Sequence, residues 1–250
     1  METGIQVSSL KPLLLTPEQV DAAFANIAAM GCKTVQLQWI DPSVPISDIA
    51  ASLTGHGLRS VSVQDFYQTI VENREYYYTL NAETGGTWIC ASRIPERCKT
   101  RAGLDAFAAE LRDLANRLAS EGQKLCFHPV AADFQPIDGM DPVENLLCAV
   151  PQMEICFDLY HLTKVGFSMP DIIRRYAGRV CMVHFKEGRK NPDGTETLVP
   201  AGQGDIDWTG VVEACLDAGV PYAFVEQERW EKDPYLCLGE ALDWLRGQLK

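Results

Sequence analysis

No C-x-x-C pair occurs among the nine cysteines, and neither a G-x-G-x-x-G nor a G-x-x-x-x-G-K-[ST] stretch is present. The first absence argues against a disulfide framework; the second weakens the dinucleotide and nucleotide alternatives. Basic residues are scarce: 22 Lys and Arg stand against 34 Asp and Glu, a formal charge of −12 with no Lys/Arg cluster. Such a surface repels phosphate backbones and anionic bilayers, so neither nucleic acid nor a membrane is expected as a partner. The longest early apolar run, Leu13 to Leu15, is far too short to span a bilayer. No secretory signal is read in METGIQVSS, and the odd cysteine count argues against a disulfide framework, so reduced thiols in a cytoplasmic setting are expected. Cys126, Cys156 and Cys181 each lie inside an apolar run, where cysteine packs as a small hydrophobe.

At 250 residues and 46% hydrophobic, the chain can bury a full core as one domain over 1–250, the usual length of an eight-unit β/α barrel. Short apolar runs recur around Ile5, Val35 to Leu37, Val61 to Val63, Trp88 to Ala91, Leu125 to Phe127, Ile155 to Phe157, Val180 to Val183 and Ala223 to Val225. Segments with helical spacing separate them, among them Pro17 to Met30 and Leu104 to Leu118. Thr16-Pro17-Glu18 reads as a helix start, and Gly31, Gly122 and Gly219 read as stops. Strands alternating with helices predict a parallel sheet, and eight repeats predict closure: an α/β fold, a single (β/α)8 TIM barrel. Three adjacent tyrosines, Tyr76 to Tyr78, cannot all face the core from one helix, and Pro192 to Gly194 is turn chemistry in a loop.

Several apolar runs close on a lone polar residue: Asp158 after Ile155-Cys156-Phe157, His184 after Cys181-Met182-Val183, and Glu226 after Ala223-Phe224-Val225. In a parallel barrel that position is the passage from strand to loop, the end that carries active sites. With Asp133 in FHPVAADF upstream, these residues form a carboxylate, carboxylate, imidazole, carboxylate series suited to one divalent cation. Each has a plainer reading alone: Asp158 as a helix cap, His161 and His184 as structural histidines, Lys186 as a snorkelling surface lysine. Lys186 shares a side of its strand with His184 by the period-two rule, and an unpaired Glu226 buried there would be costly without a cation.

In order and spacing these motifs resemble the xylose-isomerase-like barrels, specifically the sugar (phosphate) isomerase/epimerase group. FHPVAADF is similar to the family's Y-H-N-H-x-x-E-F, FDLYH to its D-x-x-H, VHFKE to its V-H-L-K-D, PAGQGDIDW to its G-x-G-x-x-D-W, and VEQ to its final strand. The resemblance implies that Asp133, Asp158, His184 and Glu226 hold a divalent metal, and that His161, Lys186, His128 and Gln203 contact substrate. Asp133 stands where the family has Glu, Val130 where it has a second His, and Gln36 where many relatives carry Glu. Homo-oligomer formation is a further expectation from the resemblance.

The expected activity is isomerisation or epimerisation of a keto sugar or related polyol, a small carbohydrate, by proton transfer through an enediolate. Glu226 and Asp133 would act as base and acid, with Lys186 and His161 opposite the developing oxyanion. Mn²⁺, Mg²⁺ or Co²⁺ is expected rather than a structural Zn²⁺, because three of the four ligands are carboxylates. A dehydratase acting on a keto-inositol or dehydroshikimate-like substrate shares the first step. Phosphodiester cleavage of the abasic-site endonuclease type conflicts with the charge and the four histidines. A sugar-binding barrel without catalysis is the reading of a different class. Phe66, Tyr67, Arg93, Arg229 and Trp230 are the loop side chains on which substrate choice would depend.

Overall fold

A computed structural model describes residues 1–250. In chain order the elements are β1 (Glu2–Gln6), α1 (Pro17–Ala29), β2 (Thr34–Leu37), α2 (Ile46–Gly55), β3 (Arg59–Phe66), α3 (Tyr67–Glu72), α4 (Arg74–Glu83), β4 (Trp88–Ser92), α5 (Arg101–Ser120) and β5 (Lys124–His128). The second half adds α6 (Pro142–Ala149), β6 (Glu154–Asp158), α7 (Leu159–Lys164), α8 (Met169–Arg175), β7 (Val180–Phe185), β8 (Glu187–Lys190), β9 (Glu196–Val199), α9 (Val211–Asp217), β10 (Tyr222–Val225) and α10 (Pro234–Gln248). Eight strands close in the order β1-β10-β7-β6-β5-β4-β3-β2, each pair parallel, and helices surround them. This is a single (β/α)8 TIM barrel, and all eight apolar runs of the sequence lie in its strands. No helix is long and apolar enough to cross a membrane.

Local chemistry accounts for the helix ends. Thr16 Oγ1 accepts from Gln19 N at the start of α1, Thr100 Oγ1 from Gly103 N at the start of α5, and Gly31, Gly122 and Gly219 follow helices with φ of 70–76°. Tyr77 and Tyr78 on α4 are buried and Tyr76 is partly so; the Tyr77 hydroxyl donates to Asp65 Oδ2 at 2.6 Å. The Pro192–Gly194 turn joins β8 and β9, an antiparallel hairpin that the sequence presented only as a loop. Its charged, half-exposed strands carry no apolar run from which to read a strand.

Strand alternation sorts the side chains into two environments. Ile89, Leu125, Phe127, Ile155, Phe157, Val183, Phe185, Ala223 and Val225 join the main core between strands and helices. Their neighbours Cys90, Cys126, Cys156, Met182 and Phe224 form a separate cluster with Val61, Trp88 and Cys181, filling the barrel. Cys126 and Cys181 are therefore buried among apolar groups, while Cys156, equally buried, also has its Sγ 3.3 Å from His184 Nε2. At the N-terminal end of the strands, Trp88 Nε1 donates to Glu154 Oε2 (3.1 Å), Lys124 pairs with Glu154 (2.9 Å) and Arg59 with Glu2 (2.7 Å). These contacts close that end, leaving the C-terminal rim for a ligand.

Gly4 on β1 lets the barrel fill: a Cβ there would sit 2.3 Å from Thr34 O and 2.8 Å from the Phe224 ring. Gly4→Ala is expected to lower stability by about 1–3 kcal/mol through overpacking, read as a lower urea midpoint at unchanged m-value; an unchanged midpoint would refute this account of the packing.

Candidate metal centre

Two residues beyond the interior layer of Cys126, Cys156, Met182 and Phe224, the same inward parity yields His128, Asp158, His184 and Glu226. Asp158 and His184 are register partners across β6 and β7, and Glu226 N bonds Phe185 O beside them. One ligand atom from each of Asp158, His184 and Glu226 lies within 4.8 Å of the others. All three are buried.

His184 organises the group. Its Nε2 is 2.6 Å from Gln36 Oε1, while the Gln36 amide nitrogen donates to Gln64 Oε1 (3.0 Å) and Ser62 Oγ (3.3 Å). An amide oxygen only accepts, so the ring proton belongs on Nε2 and the Nδ1 lone pair is left free. That Nδ1 is 2.8 Å from Glu226 Oε2, yet neither atom has a hydrogen-bond partner of acceptable geometry. Two ligands about 2.1 Å from an octahedral ion and at right angles are about 3.0 Å apart, so this spacing fits a shared cation.

The other carboxylate is aimed by its cap. Asp158 Oδ1 accepts from Tyr160 N (2.9 Å) and His161 N (3.3 Å), starting α7, while Oδ2 lies 3.7 Å from His161 Nε2 and 3.8 Å from Lys186 Nζ. Asp158 is thus the cap of α7 while its other oxygen faces His161 and Lys186. Lys186 Nζ is also 3.9 Å from Glu226 Oε1 and pairs closely with Glu228, and Ser8 Oγ donates to Glu226 Oε1 at 3.2 Å. Two buried carboxylates therefore face one ammonium that already serves a third. A divalent cation would supply the missing positive charge, and the donor set of two carboxylates and one imidazole is suited to one.

Burial and charge pull the titrating groups apart. For Lys186, burial works against the ammonium, but Glu226, Asp158 and Glu228 outweigh it and hold its pKa above that of an ordinary lysine. Burial likewise opposes the charged forms of Glu226 and His184, yet Lys186 keeps the Glu226 carboxyl well below its usual range, and with no cation between them Glu226 favours protonation of His184. Glu228 is pushed up to about 7 by burial and by Glu226. His128 is driven well below 6.5 by burial and then by His184. Neither His128 ring nitrogen has a partner, although the ring stands 5.0 Å from His184 and 6.2 Å from His161, centroid to centroid. Each such unsatisfied buried group costs about 1–3 kcal/mol.

The structure gathers Asp158, His184, Glu226, His128, His161 and Lys186. It does not bring Asp133 or Gln203 to them. Asp133 sits in a 3-10 turn (131–134), where Oδ1 accepts from Ile94 N (3.1 Å) and Oδ2 from Val130 N (2.9 Å); both oxygens are spent on loop amides. It lines a cavity of about 330 Å³ with Phe66, Ser92, Arg93 and Lys99 instead. The shorter Asp side chain, in place of Glu, stays with its own turn. Gln203 is exposed and donates to Glu240 on α10 (2.9 Å). Its loop is anchored by Glu187, which accepts from Ile206 N (2.9 Å) and Trp208 Nε1 (3.0 Å). Trp208 packs on Phe185 and Trp244, outside the barrel, rather than over its mouth. Helix α9 begins at Val211, and Asp207 accepts from Thr209 N in the turn before it.

Sequence reading passed over Gln36 as a tautomer-setting residue and Glu228 as the partner of Lys186. The buried glutamines Gln6, Gln36, Gln38 and Gln64 were the available signal, since an amide inside a parallel strand needs a partner within the barrel. Glu228 lies three residues past the end of β10, where strand parity no longer places a side chain, so only the fold shows it as the partner of Lys186.

The sequence profile of the family described as xylose isomerase-like TIM barrel matches residues 18–248. No curated protein matches the chain in sequence. Among solved structures, a sugar phosphate isomerase/epimerase from Parabacteroides distasonis ATCC 8503 superposes with a TM-score of 0.80 at 16% identity, covering 98% of this chain and 97% of that one. An L-ribulose 3-epimerase matches with 0.77 at 15% identity, over 100% and 95%. The probable 3-DHS dehydratase AsbF from Bacillus anthracis matches with 0.76 at 13%, over 98% and 99%. At these identities the likeness establishes the shared barrel.

Saturating Mn²⁺ is expected to raise the melting temperature of the wild type and of Asp133→Asn, with about 2.7 kcal/mol of added stability at a hundredfold excess over Kd. Asp158→Asn and Glu226→Gln are expected to lose that shift, and a lost shift in Asp133→Asn alone would overturn the ligand set. In metal-free buffer, neutral His128 should add a pH dependence of known sign. Its folded pKa lies below the unfolded value of 6.5, so its stability contribution is complete above 6.5 and declines as pH falls below it. His128→Gln should therefore flatten the loss of urea midpoint between about pH 7 and pH 5, whereas an unaltered slope would contradict this.

Proposed function

Since the chain belongs to the xylose isomerase-like TIM barrel family, we propose that it is a divalent-metal-dependent isomerase or epimerase of a keto sugar or related polyol. The observation that carries this reading is the pair of buried, partnerless atoms His184 Nδ1 and Glu226 Oε2, 2.8 Å apart beside Asp158 and Lys186. A bound cation of the Mn²⁺, Mg²⁺ or Co²⁺ kind would be held by Asp158, His184 and Glu226, supplying Lewis acidity toward a carbonyl and an adjacent hydroxyl.

The chain's own residues supply the rest. Proton abstraction next to a carbonyl requires a carboxylate that stays ionised, and Glu226 is kept so chiefly by Lys186 despite its burial. Lys186, fixed among Asp158, Glu226 and Glu228, offers an ammonium to the charge that develops on the enediolate oxygens. His161, partly exposed beside Asp158, would donate to a substrate hydroxyl. Epimerisation needs a second proton-transfer group. With Asp133 committed to loop amides, Glu228 is the better placed carboxyl, joined to the cluster through Lys186. The closed N-terminal end of the barrel leaves the rim as the route by which substrate arrives and water is displaced.

The deciding experiment follows solvent deuterium into carbon by NMR, with Mn²⁺, across ketopentoses, ketohexoses, keto-inositols and their phosphates. Exchange into at least one is expected; none across the panel would point to a sugar-binding barrel without catalysis. Ultraviolet absorbance from an enone product would move the assignment to a dehydratase. With a confirmed substrate, Glu226→Gln is expected to cost about 10²–10⁴ in kcat, while Asp133→Asn stays within about tenfold of wild type. Near-wild-type turnover in Glu226→Gln would discard its role.

A further inference from the structure

We propose that the barrel interior holds a second metal site, for a thiophilic cation of the Zn²⁺ class, formed by Cys156 Sγ, the His128 ring and His184 Nε2. One ligand atom from each residue lies within 4.8 Å of the others, and all three are buried. Cys156 Sγ is 3.3 Å from His184 Nε2. Tetrahedral zinc, with bonds of about 2.3 Å to sulfur and about 2.05 Å to nitrogen, separates such a pair by about 3.5 Å, so this pair already stands near the required separation.

His128 is the independent indication. The ring is 4% exposed, and neither nitrogen finds a protein partner. It is a nitrogen donor already stripped of water, standing beside a thiol and a second imidazole. Beyond Cys156 the sulfurs continue, with Cys90 Sγ 3.6 Å from Cys126 Sγ and Cys126 Sγ 3.2 Å from Cys181 Sγ. The surroundings are polarizable sulfur, whereas Asp158 and Glu226 offer oxygen on the other side of the His184 ring. Thiolate with imidazole favours Zn²⁺, Cd²⁺ or Cu⁺, and carboxylates favour Mg²⁺ or Mn²⁺.

The two sites share one imidazole. While Gln36 holds the proton on Nε2, the Nδ1 lone pair serves the carboxylate side. A cation on the sulfur side needs the Nε2 lone pair, so the ring proton moves to Nδ1, facing Glu226 Oε2, and the bond to Gln36 is given up. Cys156 releases its thiol proton to solvent as the sulfur–metal bond forms, and no electron is transferred. A neutral ring serves one side at a time, so a soft cation displaces the hard one without occupying its position. The inference concerns ligands alone and stands apart from the proposed reaction.

The test uses the full chain with Cys148→Ser, which removes the one exposed thiol. Cd²⁺ is titrated into Mn²⁺-loaded protein while thiolate-to-cadmium absorption is read in the near ultraviolet and free Mn²⁺ by electron paramagnetic resonance. The absorption is expected to rise to a single equivalent as Mn²⁺ is released. Cys156→Ala in this background should lose the absorption yet keep its Mn²⁺ affinity within about threefold, and His128→Gln, an independent variant should the first fold poorly, should weaken Cd²⁺ by about tenfold or more. No thiolate absorption in the parent, absorption that persists in Cys156→Ala, or Cd²⁺ binding that leaves Mn²⁺ in place would each overturn the proposal. If Mn²⁺ does not bind at all, the reading of the carboxylate side fails, and the cadmium absorption still decides this one.

Discussion

A single hydrogen bond, from His184 to the side-chain oxygen of Gln36, sets the character of the whole rim. It assigns the ring proton, turns the Nδ1 lone pair toward Glu226 and Asp158, and leaves two buried polar atoms 2.8 Å apart with no partner of their own. Removing a polar atom from water without pairing it is unfavourable, and here the arrangement gathers several such atoms around one point. Gln36 is itself held by Gln64 and Ser62, so the orientation of one imidazole is distributed over β2, β3 and β7. A second layer of this kind commonly orients metal-ligating histidines and sets their basicity.

The barrel makes this possible by alternation along its strands, interrupted at the register shifts of β2 and β6. Each strand sends every second side chain inward, and the inward positions change from sulfur and aromatic groups at mid-strand to imidazole, carboxylate and ammonium at the C-terminal end. The apolar outward positions carry the stability, while the ion pairs around Glu154 and Glu2 close the opposite end. Charged groups can therefore accumulate at the rim because the surrounding elements are anchored elsewhere. Tyr160 and Lys164 on α7 hold Glu196 of the hairpin, and Glu187 holds the loop that follows it.

Where the sequence reading and the structure part company, the cause is local competition for polar atoms. Asp133 lies five residues beyond His128, past the end of the strand, where period-two parity no longer applies. Its carboxylate is claimed by the nearest free amides, Val130 N and Ile94 N. Gln203 sits on a loop pinned by Glu187 and turns to Glu240, because the tertiary path of that loop runs toward α10 rather than across the barrel. In both cases a motif fixes an order along the chain but not a direction in space.

From the sequence alone came the closed α/β barrel, its eight strands, and the strand-end positions of Asp158, His184, Glu226 and Lys186. All of these follow from periodicity, and periodicity is a local property of the chain. Only the folded structure decided which polar groups share a site, that His184 answers to Gln36, that Lys186 is bound to Glu228, and that Asp133 belongs to its own turn. Those outcomes depend on contacts between residues up to 148 positions apart, made across strands whose register and bulges no local pattern encodes.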